Sequence, residues 1–209
     1  MIDADRLLRR LLGNPTATLG GGLLGGLLMT KRGRRYGKKA LKLGGLVAIG
    51  ALAYNAYQRY KDSNQEEVDD RREPALALAP PPTQSGFLPE DEQARNELAL
   101  TLVRAMIAGA KADGVLEPRE MELILRRVSE GDFTAEEKAH LMDELHQTPD
   151  LDALVEAAGT PQVASEVYIA ALMTIDPEEP EKDAWLVNLA DRLGLEPGLV
   201  QSIHAEAAA

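Results

Sequence analysis

The residues of this chain best suited to chemistry are carboxylates, and they fall in two matching places. The first is AKADGVLEPREME, where Asp113-Gly114 is followed by Glu117, Glu120 and Glu122. The second is MTIDPEEPEKDAW, where Asp176 is followed by Glu178, Glu179, Glu181 and Asp183. In both, an Asp is followed seven residues later by a carboxylate, Glu120 or Asp183, which suggests an internal duplication of helix, acidic loop and helix. A loop Asp and a carboxylate on the next helix's first turn can converge on one hard cation, which takes several oxygen ligands. Asp113, Glu117, Glu120, Asp176, Glu178 and Asp183 are therefore the candidate ligands, and Ca2+ or Mg2+ the candidate ion. Neither loop follows the EF-hand pattern, because the Gly adjoins the first Asp and no Glu stands at the twelfth position. The competing reading is structural: Asp and Glu at helix N-termini cap free amides and complement the helix dipole.

Other chemistry finds little support. His140, His146 and His204 are isolated, and the first two are six residues apart, a poor spacing for one helical face. They read as surface or packing residues, and Tyr168 and Trp185 as core. The chain has no cysteine, so disulfides, thiolate metal sites and cysteine nucleophiles are excluded. No Ser/His/Asp arrangement and no phosphate-binding glycine loop is present; the glycines at 20–26 follow no strand pattern. The expectation is a protein that is not an enzyme.

The elements that must position the carboxylates are helices. From Glu90 onward the apolar period is near 3.6 and strand signals are absent. Leu98, Leu102, Ala105 and Met106 mark a first long helix ending near Ala112. Pro118 opens the next, with Met121, Ile124, Leu125 and Val128. Thr134 with Glu137 makes a capping box ahead of Leu141 and Leu145. A short segment holds Leu151, Leu154 and Val155, and Thr160-Pro161 starts a strong helix through Val163, Val167 and Met173. Pro180 and Pro197 precede the last two, as first-turn prolines do. About seven short helices over 90–209 form an all-α domain large enough for its own core.

The 209 residues carry a formal charge of −11, which conceals two opposite parts. Residues 1–61 hold twelve Lys/Arg and two Asp/Glu; residues 62–209 hold eleven and thirty-two. The acidic part excludes a general nucleic-acid binder, since that affinity comes from neutralising phosphates. The basic part contains Leu11–Thr30, uncharged but with six glycines and Pro15, then seven Lys/Arg between Lys31 and Lys42. A second uncharged run of sixteen residues follows, LGGLVAIGALAYNAYQ over 43–58, flanked by Tyr54, Tyr57, Tyr60, Arg59 and Lys61. Sixteen helical residues span about 24 Å, short of a roughly 30 Å hydrocarbon core, a gap that snorkelling basic residues and interfacial tyrosines can close. No neighbouring apolar element is evident to cover this run, so 1–61 reads as a membrane-anchoring segment with 43–58 as its transmembrane helix. A buried core helix and a surface-lying segment are the alternatives, with a cleaved export signal ending near Ala51-Leu52-Ala53 the least favoured because the preceding polar region is too long. Membrane lipids are the expected partner of 1–61. If 43–58 spans, the basic block stays cytoplasmic and the helical domain is periplasmic; an interfacial anchor keeps both cytoplasmic. Residues 62–89, with Pro80–Pro82, read as a disordered spacer.

Three separated motifs then occur in order: KADGVLEPRE, ASEVYIAALMTID and WLVNLADRLGLEPGLV. Together they resemble the TerB-like tellurite-resistance fold. With RLLRRLLG and KKALKLGGLVAIGALAYNAYQRY, nearly the whole chain resembles the membrane-anchored branch typified by the YebE inner-membrane proteins, a family of unknown function. The resemblance implies a bacterial inner-membrane protein with an all-helical domain whose acidic residues chelate a divalent cation. Carried over by position, those residues are Asp113, Glu120 and Asp176. Lys182 stands where the family tends to show Glu, and a lysine there opposes a cation. The expected function is a non-enzymatic, membrane-anchored protein that binds a cation or a protein partner in envelope or metal stress. The alternative is a structural, self-associating membrane protein in which the carboxylates only cap helices.

Overall fold

The computed structural model describes residues 3–12, 45–63, 79–114, 121–122, 133–175 and 180–208. Eight α-helices and no strand occur among them: α1 (Ala4–Leu12), α2 (Gly45–Ser63), α3 (Glu92–Ala110), α4 (Ala135–His146), α5 (Leu151–Ala157), α6 (Pro161–Leu172), α7 (Pro180–Arg192) and α8 (Pro197–Ala208). The local start signals act as their chemistry dictates. Asp91 caps α3 by accepting from the Ala94 amide, and Asp150 caps α5 through Ala153. Thr134 and Glu137 close a reciprocal capping box on α4, and Thr160 caps α6 with Pro161 in its first turn. Of the helix expected behind Pro118, only Met121 and Glu122 are among the described residues, and both are helical.

Helices α3 and α6 form the central pair. They cross where Gly109 meets Ala171 and Thr174: a Cβ at position 109 would stand 2.6 Å from the Ala171 carbonyl and 2.5 Å from Thr174 Oγ1. Only glycine permits so close an approach. The buried Thr174 hydroxyl reaches the carbonyls of Met106 (3.0 Å) and Ala171 (2.8 Å), which ties the two helix ends together.

Helix α2 corrects the expectation of a lipid-facing run. Leu46, Ala48, Ile49, Ala51, Leu52, Ala53 and Ala56 are buried, and the helix packs on α8, α6 and α1. No helix among the described residues is long and apolar enough to cross a membrane. The cover missing from its sequence neighbourhood comes from α8, whose Ile203 and Ala207 are buried in the same core, and from α6. Arg59 pairs with Glu206 of α8 at 3.0 Å, and Tyr60 lies against Gly198. Burying each large aliphatic side chain here stabilises the fold by about 1.5–3 kcal/mol.

The basic N-terminus joins the same body. Ala4, Leu7 and Leu8 of α1 are buried, Arg6 meets the buried Glu137 of α4 at 3.0 Å, and the Ala4 amide donates to Asn96 of α3. The end of the expected spacer is structured too. Residues 79–91 form a strap containing a short 3-10 turn, and its Phe87 is buried edge-on against Tyr54 and Tyr57, with centroids 5.9 and 5.8 Å away. Residues 64–78 lie outside the described set.

Candidate functional site

The α3–α6 crossing brings together the two helix ends from which the acidic loops depart. On the first, the chain turns through Lys111–Gly114, with the Gly114 amide donating to the Lys111 carbonyl at 2.8 Å. Gly114 has a φ of 97°, a left-handed conformation suited to glycine. Lys111 reaches across to the end of α4, donating to the carbonyls of Leu145 and Gln147 at 2.6 Å each. A cation there complements the helix C-terminus, and desolvation lowers its ammonium below the ordinary lysine value.

The turn aims Asp113 at α7. Its Oδ2 lies 3.8 Å from the ammonium of Lys182, which stands in the first turn of α7 with its side chain 5% exposed. Asp113 is 26% exposed. The structure thus joins the two loop regions, but through an ion pair. Of the expected ligands, Asp113 is at this junction and Asp183 is exposed on α7. Glu117, Glu120, Asp176 and Glu178 fall outside the described residues. Among the described residues, no group of three or more His, Cys, Asp or Glu side chains could hold a metal ion. A nearly buried ammonium beside the one partly buried candidate carboxylate repels an arriving divalent cation, so the described residues do not fit a metal.

A different carboxylate has the more unusual environment. Glu166 is the sole charged residue of α6, is fully buried, and neither of its oxygens has a hydrogen-bond partner. Burial pushes its carboxyl up to about 8, partly offset by the Leu88 backbone amide, which points towards it without closing a well-formed hydrogen bond. Reasoning from the sequence missed Glu166, although the signal was there: a single carboxylate inside VASEVYIAALM.

Of the histidines, His204 packs against Tyr168, while His146 is exposed and turned back on its own helix. His204 Nε2 lies 2.8 Å from the Tyr168 hydroxyl, and His146 Nδ1 lies 2.6 Å from the Met142 carbonyl. Tyr168 is core as expected, and Trp185 is half-buried. One groove of about 240 Å³ lies between α3, α5 and the chain joining α4 to α5. Ile107, Ala108 and Leu154 line it, and the exposed Arg104–Glu144 pair (2.9 Å) stands within it.

Fold and site together define, among the described residues, an all-helical body in which an ion pair joins Asp113 after α3 to Lys182 at the start of α7. The chain belongs to the DUF533 family, described as a protein of unknown function, whose model matches residues 14–207. No curated protein and no solved structure matches it.

Proposed function

We propose that this chain is a non-enzymatic, TerB-like scaffold that rests on an anionic membrane through residues 13–44 and offers its acidic helical body to a protein partner. The observation that carries the reading is the packing of α1 against α2 within one core. The two ends of the intervening stretch, 13–44, therefore join one body. A single membrane crossing would separate its two ends, and two crossings need roughly 40 apolar residues, more than the stretch contains. Insertion from one side remains, with the Gly/Leu-rich residues 13–30 dipping into the interface and the seven cations of 31–42 on head groups. Each cation near such a surface contributes about 1 kcal/mol. The body then shares a side with the basic block, which favours the cytoplasmic face of a bacterial inner membrane. The three TerB-like motifs support the fold assignment, and the Asp113–Lys182 pair favours a protein partner over a cation.

Co-sedimentation of the full chain with vesicles tests the attachment. Binding to phosphatidylglycerol-containing vesicles that weakens with salt is the expected result, with loss on replacing the seven basic residues of 31–42 by Gln. Equal binding to neutral and anionic vesicles, or none to either, would overturn it.

A further inference from the structure

Glu166 occupies a point where three elements converge. A Cβ at Gly50 of α2 would lie 3.1 Å from Glu166 Oε1, 3.6 Å from Pro81 and 3.9 Å from Leu88 of the strap. Glu166 is itself shut off from bulk water. Leu88 holds a φ of 57°, a left-handed conformation unfavourable for a branched side chain, so packing against its neighbours must hold the strap there. The half of α2 nearest this point, Gly45–Ala53, is uncharged; its polar ties, Arg59 to Glu206 and Lys61 over the Tyr57 ring, lie further along.

We infer that Glu166 is a proton-operated latch: protonated, it lets α2 and the 79–91 strap close over α6, and on ionising it releases them. An ionised carboxylate cannot remain in an apolar contact without a partner and must reach water. The removable cover is α2 and the strap, because the opposite side of α6 is the Gly109 crossing with α3.

Among the described residues no counter-charge stands ready to hold the anion. On α6 no other residue is charged; Tyr168, two positions on, is engaged with His204. On α2, Arg59 is committed to Glu206, while Tyr54 packs on Phe87. On the strap, Glu90 and Asp91 are exposed, and Asp91 caps α3. On α3 the charged residues are Glu92, Arg95, Glu97 and Arg104, with Arg104 turned to Glu144; on α7, Lys182 faces Asp113. None of these pairs with Glu166 among the described residues. Release uncovers Leu46, Ile49 and Leu52, an apolar surface that the closed body hides.

Hydrogen exchange of the full chain without lipid, read by mass spectrometry from pH 5 to 9 and corrected for the intrinsic rate, tests the latch independently of membrane attachment. The opening constant of α2 and strap amides should rise about tenfold per pH unit up to about pH 8 and then level off. Amides of α4 and α5 that exchange by local fluctuation, without global unfolding, should not follow. Glu166→Gln should flatten the profile, and Glu166→Met, neutral and of similar length, should do the same. A wild-type profile without slope overturns the latch, as does an equal rise in the locally exchanging amides of α4 and α5, or a slope that survives either substitution. Should both variants fail to fold, the wild-type comparison of α2 with α4 and α5 decides by itself.

Discussion

Leu52 separates a protein-packed α2 from a lipid-facing one. Its side chain is 2% exposed and belongs to the core shared by α1, α3, α6 and α8. Leu52→Ala removes buried carbons that neighbours cannot fully replace. A substitution of this kind typically costs about 2–5 kcal/mol, the lost transfer free energy plus the cavity left behind. The adjacent small residues Ala48, Ala53 and Ala56 offer no long side chain to swing into the gap, so a value in the upper half of that range is expected. Trp185, the single tryptophan, reports from α7, whereas α2 packs mainly on α8, α1 and α6. Urea unfolding of the full chain followed at Trp185 should therefore shift to lower denaturant with an unchanged slope, as for a cooperative unit that includes α2. A loss below about 0.5 kcal/mol, the level of an ordinary surface substitution, would refute the packing argument.

Further consequences follow for the charged and close-packed positions. Gly109→Ala should destabilise by about 2–3 kcal/mol in thermal or urea unfolding, because the new Cβ meets the Ala171 backbone and not merely a side chain. Calorimetry with Ca2+ or Mg2+ should give no binding heat for the wild type, and Lys182→Met should lower stability by about 1–3 kcal/mol, since it removes the nearly buried ammonium that faces Asp113. The carboxyl of Glu166 is raised in the folded state above its ordinary 4.5 to about 8. Its contribution is therefore fully present below about pH 4.5 and is lost as pH rises towards 8, by roughly 1.4 kcal/mol per unit. Urea midpoints measured from pH 5 to 8 should fall accordingly in the wild type and hold level in Glu166→Gln.

The sequence made the helical domain legible where the signals are local. Thr134 with Glu137, Thr160-Pro161, Pro180 and Pro197 each act within one turn, and each helix begins where they stand. Helix α2 was not legible in the same way, because its residue types suit two solvents. Ala, Leu and Ile bury equally well against lipid or protein. Tyr54, Tyr57 and Tyr60, spaced as an interfacial belt, instead contact Phe87 and Gly198, and Arg59, placed to snorkel, instead pairs with Glu206. The deciding partners lie in α8, far along the chain, and no periodicity announces such a contact. The same distance hid the Asp113–Lys182 pair: the spacing pointed to convergence within each acidic loop, whereas the fold brings Asp113, at the end of α3, to an ammonium of α7. Phe87 could not be read as core because it follows a proline-rich stretch, yet a single aromatic wedged between two tyrosines suffices to dock the strap.

The most direct test of the account is the sidedness of two introduced thiols in the otherwise cysteine-free full chain, Tyr36→Cys in the basic block and Ala205→Cys on the exposed side of α8. Because α2 is packed in the body, both positions must lie on the same side of the membrane. In spheroplasts of a bacterial host, a membrane-impermeant maleimide should leave both unlabelled until the cells are lysed. Labelling of Ala205→Cys but not Tyr36→Cys in intact spheroplasts would mean that α2 crosses the bilayer, and would contradict the account.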